Sequence, residues 1–298
     1  GPSTPAGPPP AVLRRLGFLD RLLPVWILGA MATGLLLGRL VPGLNGALES
    51  IQVTKGTPLS IFLGLLVMMY PVLAKVRYGR IGQIAADRRM LYSSLVLNWL
   101  IGPVVMFSLA WIFLASHPAY RTGLIVVGLA RCIALVLIWN DLSCGDREAA
   151  AVLVALNSLF QIVAFALLGY FYLQILPGWL GLPPTDIHFS ISEIAESVAI
   201  FLGVPLLAGA ATRLLGETRR GRAWYEERLL PRIGPLALFG LLYTVVVLFA
   251  LQGRAILADP SQVALIALPL LAYFALMWTG SFFLGRAIGL TYERTATL

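Results

Sequence analysis

The sequence predicts an all-α integral membrane protein, a bundle of transmembrane helices built as an inverted repeat, and three observations carry that prediction. Of 298 residues, 59% are hydrophobic and only 12% are charged, whereas a soluble domain carries about 25% charged residues. Such a chain cannot cover its apolar surface with polar groups, so lipid must be part of its solvent. Eight apolar segments are each long enough to cross a bilayer as a helix, which takes about 20 residues. Finally, a spacing recurs between segments one and six and between segments two and seven.

The proline-rich residues 1–16 form a tail that cannot pack and stand outside the fold. The spans are expected near 22–41, 57–75, 90–115, 122–142, 147–174, 191–215, 233–252 and 262–285. Residues 17–178 then hold a first repeat of five helices, and residues 188–298 hold helices six to eight of a second. With the N-terminus in the cytoplasm, seventeen of the 22 Lys and Arg fall in cytoplasmic segments. Four (Arg39, Lys55, Arg121 and Arg254) fall outside, and Arg131 lies within a span. Cytoplasmic loops are enriched in Lys and Arg, so this bias orients the chain in an inner membrane. The loop near 175–190 has no Lys or Arg, against four in the loop near 216–231.

The repeat is carried by two pairs. Gly29 and Arg39 are ten apart, as are Gly203 and Arg213. The string P-L-S-I-F-L-G-L-L from Pro58 is echoed by P-L-A-L-F-G-L-L from Pro235. The offsets are 174 and 177. A unit of five helices inserts its second copy upside down, as in many secondary transporters. On that arithmetic the partner of segment four would begin near 297, so the last two helices of the second repeat are expected beyond residue 298.

Several function classes find no support. The charge of +8 is dispersed, with no basic tract for nucleic acid. Two Cys and two His make no Cys-x-x-Cys or His-rich spacing, so neither a disulfide scaffold nor a metal cofactor is predicted, and no other cofactor is. No His-Glu-x-x-His, Gly-x-Gly-Asp or paired intramembrane aspartate points to an enzyme within the bilayer.

The chemistry gathers in segment four, G-L-A-R-C-I-A-L-V-L-I-W-N-D-L-S-C-G-D from Gly128. Arg131 lies about nine residues from either end. A charge at that depth costs several kcal/mol unless it faces protein or water, which predicts a site-building role. On composition alone, Cys132 reads as a small apolar residue. An interruption of the helix near Gly128 would change that, because broken helices present half-helix dipoles to substrates at the midplane. On one straight helix Cys144 would stand about 18 Å from Cys132, too far to share an ion or a disulfide. Asn140 and Asp141 close the segment, and Asp146 is placed to cap the next helix. Asn157 and Gln161, four apart, share a helix face and read equally as interhelical glue or as cavity lining; Asn98 in segment three is similar. Glu193 and Glu196 suit the start of segment six, where carboxylates complement the helix dipole.

The run from Gly128 to Asp146, with A-A-V-L-V-A-L-N-S-L-F-Q from Ala150, resembles the arsenite efflux permeases of the bile acid/sodium symporter superfamily. The resemblance extends from about Leu22 to the last residue. It implies ten helices in two inverted five-helix repeats, with helices one, two, six and seven as a panel. Helices three to five and eight to ten would form a core, with helices four and nine broken and crossing. It also implies that Cys132 is the functional thiol, a ligand for a trivalent metalloid, with Arg131 beside it. Asn98, Asn140, Asn157 and Gln161 are the further candidates for substrate binding. The implied substrate is arsenite, with antimonite as a second candidate, and protons are the coupling ion. An acidic residue of an Asn-Asn-Phe-Glu-like stretch, used by such permeases, has no counterpart up to residue 298, and Glu293 is not that residue. An organic-anion or bile-acid-type sodium symporter and a non-transporting membrane sensor are the alternatives.

Overall fold

The computed structural model describes residues 22–54, 57–75, 88–132, 135–183, 192, 196 and 199–298. Helix α1 spans Leu23–Leu40, followed by the short α2 (Leu44–Glu49). A two-stranded antiparallel hairpin, β1 (Gln52–Thr54) and β2 (Thr57–Pro58), then departs from the all-helical expectation. Helix α3 spans Leu59–Ala74 and α4 spans Arg88–Phe113. The fourth apolar segment is two pieces, α5 (Pro118–Leu129) and α6 (Val136–Leu142). Helix α7 runs from Arg147–Tyr170 through Phe171–Ile175 into Leu176–Trp179. Helix α8 spans Ala199–Arg220. Helix α9 runs from Arg222–Trp224 through Tyr225–Leu229 into Leu230–Ala258. Helix α10 spans Pro260–Ala287 and α11 spans Tyr292–Thr297.

Among the described residues each of the eight apolar segments contains helix, but they are not eight equal spans. Among the described residues, five helices are long and apolar enough to cross a bilayer singly: α1, α4, α8, α9 and α10. Helix α7 bends by 55° between Glu148–Gln161 and Val163–Trp179, and α3 is 16 residues long. Glu193 and most of the approach to α8 lie outside the described residues. Asp146 caps α7 as expected, its carboxylate accepting from Glu148 N and Ala149 N, both at 3.1 Å.

Among the described residues four helices contain a π turn: Leu97–Ile101, Phe171–Ile175, Ala199–Gly203 and Tyr225–Leu229. Each is followed, two residues on, by a proline: Pro103, Pro177, Pro205 and Pro231. The cause is steric. A proline ring collides with the carbonyl four residues earlier and offers no N–H to it. Here that carbonyl belongs to the middle residue of each π turn, and widening the turn moves it aside without breaking the helix.

Two groups of helices pack mainly within themselves and meet where Val154 of α7 joins Val72, Leu73, Leu202 and Leu206. Helices α1, α3, α8 and α9 form one, with α9 crossing both α1 and α3, and α3 also meeting α8. The crossings are closed by glycines. A side chain at Gly34 would strike the backbone of Val246 and Ala250, and one at Gly209 would strike Leu73 and Ala74. Gly64 abuts Tyr243 and Thr244, and Gly240 abuts Met68 and Gly64. Lipid offers no hydrophobic drive for helix association, so such close backbone contact supplies it through van der Waals packing. Gly34 and Gly209 are 175 positions apart; Ala74 and Ala250, Gly64 and Gly240, and Met68 and Thr244 are each 176 apart. Exchanging α1 with α8 and α3 with α9 therefore maps these contacts onto themselves. The contacts also correct the spacing read from sequence. The position matching Arg213 is Gly38, which abuts the Ala250 carbonyl, and not Arg39.

Arg213 is 5% exposed and its guanidinium closes the end of α3, with Nη1 donating to Lys75 O (3.2 Å) and Ala74 O (3.5 Å). Nη2 meets Glu217 at 2.9 Å and Glu226 at 3.1 Å. The hydroxyl of Tyr225 donates to Ala74 O at 2.9 Å.

The second group comprises α4, α5, α7 and α10, whose core holds Met106, Phe107, Leu124, Leu129, Tyr172, Leu173 and Tyr273. Leu271, Phe274 and Trp278 of α10 are exposed. Arg121, counted with the outer loops, is 2% exposed, donating to Ala115 O at 2.7 Å with its guanidinium 3.7 Å from the Trp111 ring.

Candidate functional site at the broken helix

Helix α5 stops at Leu129, and Ala130 turns to an extended conformation (φ −78°, ψ 129°). Gly128 is the last point of close packing, where any side chain would strike Met106 of α4. Arg131 and Cys132 follow in non-helical backbone, and helix resumes at Val136. The interruption falls two to three residues beyond the glycine read from sequence as its place.

A break in the membrane exposes backbone groups that must find partners. Arg131 supplies them. Its Nη2 donates to the Gly128 carbonyl, a C-terminal carbonyl of α5, where positive charge also suits the helix dipole. Its own backbone N–H donates to Gln161 Oε1 at 2.9 Å. Nη1 reaches the Tyr273 hydroxyl of α10 at 3.4 Å. The guanidinium lies 5.8 Å from the Trp99 ring, and the Trp99 indole donates to Asn157 Oδ1 at 3.0 Å. Gly102 leaves room for this meeting, since a side chain there would crowd both Tyr273 Oη and Arg131 Nη1. Among the described residues, no carboxylate pairs with Arg131, and its buried Nε has no partner. The intramembrane charge is thus held by a carbonyl, a hydroxyl and an aromatic face.

Of the residues singled out from sequence, Arg131, Gln161 and Asn157 meet around the break, the last through Trp99. Cys132 is exposed beside Arg131. Two candidates lie elsewhere. Asn98 turns back along its own helix, donating to Ser94 O (2.9 Å) and Ser94 Oγ (3.2 Å). Asn140 is at the far end of α6 from the break, its side-chain amide 2.8 Å from Thr297 Oγ1. Trp99, Gly102 and Tyr273 were missed. Trp99 follows Asn98 directly, but an aromatic in an apolar run reads first as core. The chain's straight-helix spacing for Cys132 and Cys144 also falls, because the break intervenes and Cys144 sits in a turn with φ 59°. Among the described residues, no three His, Cys, Asp or Glu side chains converge as a metal would need.

Apolar helices in two packed groups, one holding an interrupted helix with a guanidinium at the interruption, define a multi-pass membrane transporter rather than an enzyme. The chain belongs to the Sodium Bile acid symporter family, whose pattern matches residues 62–259. It is 55% identical over 284 residues to the arsenical-resistance protein Acr3 of Corynebacterium glutamicum, a match spanning 95% of this chain and 76% of that protein. It is 28% identical over 266 residues to the Acr3 of Alkaliphilus metalliredigens, covering 86% of this chain and 71% of that one. An uncharacterized transporter of Synechocystis sp. is 30% identical over 300 residues, covering 94% and 76%.

Proposed function

We propose that this chain exports arsenite, and that the exposed thiol of Cys132 in the interrupted helix is its reversible ligand. The observation that carries the reading is a single soft donor at a break held open by Arg131. Trivalent arsenic is thiophilic, and sulfur is the donor suited to it. Capture replaces one arsenic hydroxyl by sulfur, and that hydroxyl leaves as water with the thiol proton. Hydrolysis reverses the step, so one thiol releases what three would hold. The names of two relatives, 55% and 28% identical, support an arsenical cargo. Proton antiport, acceptance of antimonite, an inner-membrane location with the N-terminus in the cytoplasm, and the division into repeats at 17–178 and 188–298 are parts of the same proposal.

Radiolabelled arsenite uptake into everted vesicles tests it. Cys132→Ser is expected to abolish uptake at equal protein level, while Cys144→Ser retains it. Equal loss in both would remove the assignment. The family's name favours a second reading, sodium-driven uptake of an organic anion. A sodium gradient driving taurocholate accumulation, unaffected by Cys132→Ser, would establish that reading instead.

A further inference from the structure

The segment that follows α10 folds back onto the turn joining α6 to α7. One hydroxyl stands at the centre of the contact. Thr297 Oγ1 lies 2.8 Å from Asn140 Oδ1, 2.8 Å from the Glu293 carbonyl and 2.8 Å from the Asp146 backbone N–H. Around it, Asp146 N also donates to Glu293 O (3.1 Å), the Tyr292 hydroxyl donates to Ser143 O (3.3 Å), and Arg294 Nε lies 3.7 Å from Asp146 Oδ2. Gly145 is required here, because a Cβ would meet both the Asn140 amide and the Thr297 hydroxyl. The neighbouring Cys144 is held at φ 59°, a left-handed conformation that costs a non-glycine residue about 1 kcal/mol and persists only where surroundings impose it.

The valences of the node are unequal. A hydroxyl has one proton and two lone pairs. The Thr297 proton cannot serve Asn140 Oδ1 and Glu293 O together, while the buried Asn140 Nδ2 has no partner. Turning the Asn140 amide over removes the conflict. Its N–H then donates to Thr297, Asp146 N–H donates to the same oxygen, and the Thr297 proton goes to Glu293 O. Every valence of that hydroxyl is then used. Helix α6 is seven residues long, about 10 Å, so whatever fixes its Asn140 end also sets where its other end stands beside the break.

We propose that Thr297 is a positioning residue, which latches the Asn140 end of α6 to the segment beyond α10 and thereby sets the placement of Cys132. Asn140 is then part of the latch and not a ligand for the substrate. The consequence for transport rests on the arsenite reading; the consequence for the thiol does not.

The test compares Thr297→Val, which keeps shape and loses the hydroxyl, with Thr297→Ser, which keeps the hydroxyl. Both are made in the full chain carrying Cys144→Ser. Thr297→Val is expected to change the rate at which N-ethylmaleimide modifies Cys132 by several-fold. It is also expected to raise the arsenite KM about tenfold with little change in maximal rate, the scale of one lost buried hydrogen bond. Thr297→Ser should stay within about twofold of the parent in both. Gly145→Ala, which forces the same groups apart, provides the second variant if Thr297→Val does not accumulate in membranes, with the same signature expected. An unchanged Cys132 modification rate in Thr297→Val and Gly145→Ala overturns the latch, as does a Thr297→Ser variant that behaves like Thr297→Val. If no variant, the parent included, moves arsenite but the modification rates shift as stated, the latch stands and the arsenite reading falls.

Discussion

Two arginines show how differently one residue type can be read. Arg131 was legible, because a charge deep in an apolar run demands a partner and the sequence places it beside a thiol. What it touches was not legible: Trp99, Gly102 and Tyr273 come from α4 and α10, and nothing in their local sequence separates them from lipid-facing or core residues. Arg213 was noted only as a marker of spacing, yet it is the buried closure of α3. Arg213→Ala should lower stability by about 2 kcal/mol, read as a fall in Tm of the purified protein in detergent. Breaking a fully buried pair costs about 3–5 kcal/mol. The side chains of Glu217 and Glu226 keep 30% and 24% of their exposure, so water recovers part of that loss. An unchanged Tm would show that Tyr225 alone secures the α3 end.

At the scale of the element, hydropathy located the eight long apolar segments but neither their interiors nor the short helices Leu44–Glu49 and Tyr292–Thr297. A mean over about 20 residues does not register a break that begins at Ala130, nor a π turn. The start of α10 shows what local chemistry adds. Asp259 accepts from Ser261 Oγ, from Gln262 Nε2 at 2.7 Å and from Gln262 N at 3.4 Å. The Ser261 hydroxyl, ahead of the amide donors, holds this carboxyl below its ordinary range. A depressed folded pKa means that the cap is fully present above the unfolded pKa and lost as pH falls through the folded one. Amide exchange at the first turn of α10 should therefore stay slow at neutral pH and quicken in acid, below the ordinary titration of an aspartate. Asp259→Asn should remove that pH dependence. A profile that changes instead near neutral pH would assign the effect to another group.

For the whole molecule, the spacing read from sequence pairs Arg213 with Arg39, one residue away from the Gly38 that the glycine contacts match to it, because strings of apolar residues align almost as well in neighbouring registers. Backbone contact at glycine resolves the register, since only one pairing places Gly34 on Ala250 and Gly209 on Ala74. Gly34→Leu and Gly209→Leu should therefore fail alike, each costing roughly 1–3 kcal/mol or more from overpacking, with loss of the monodisperse peak on size-exclusion chromatography. Gly29→Leu, where a side chain meets open space, should keep it. Loss in only one of the matched pair would break the equivalence of the two crossings. That equivalence has a mechanical consequence. Interchangeable crossings hold the two ends of this four-helix group in the same way. Among the close contacts described above, the likeness fails at the matched pair Gly38 and Arg213. There α1 offers Gly38 and closes on its neighbour, while α8 offers Arg213, whose guanidinium stands between the helices like a wedge.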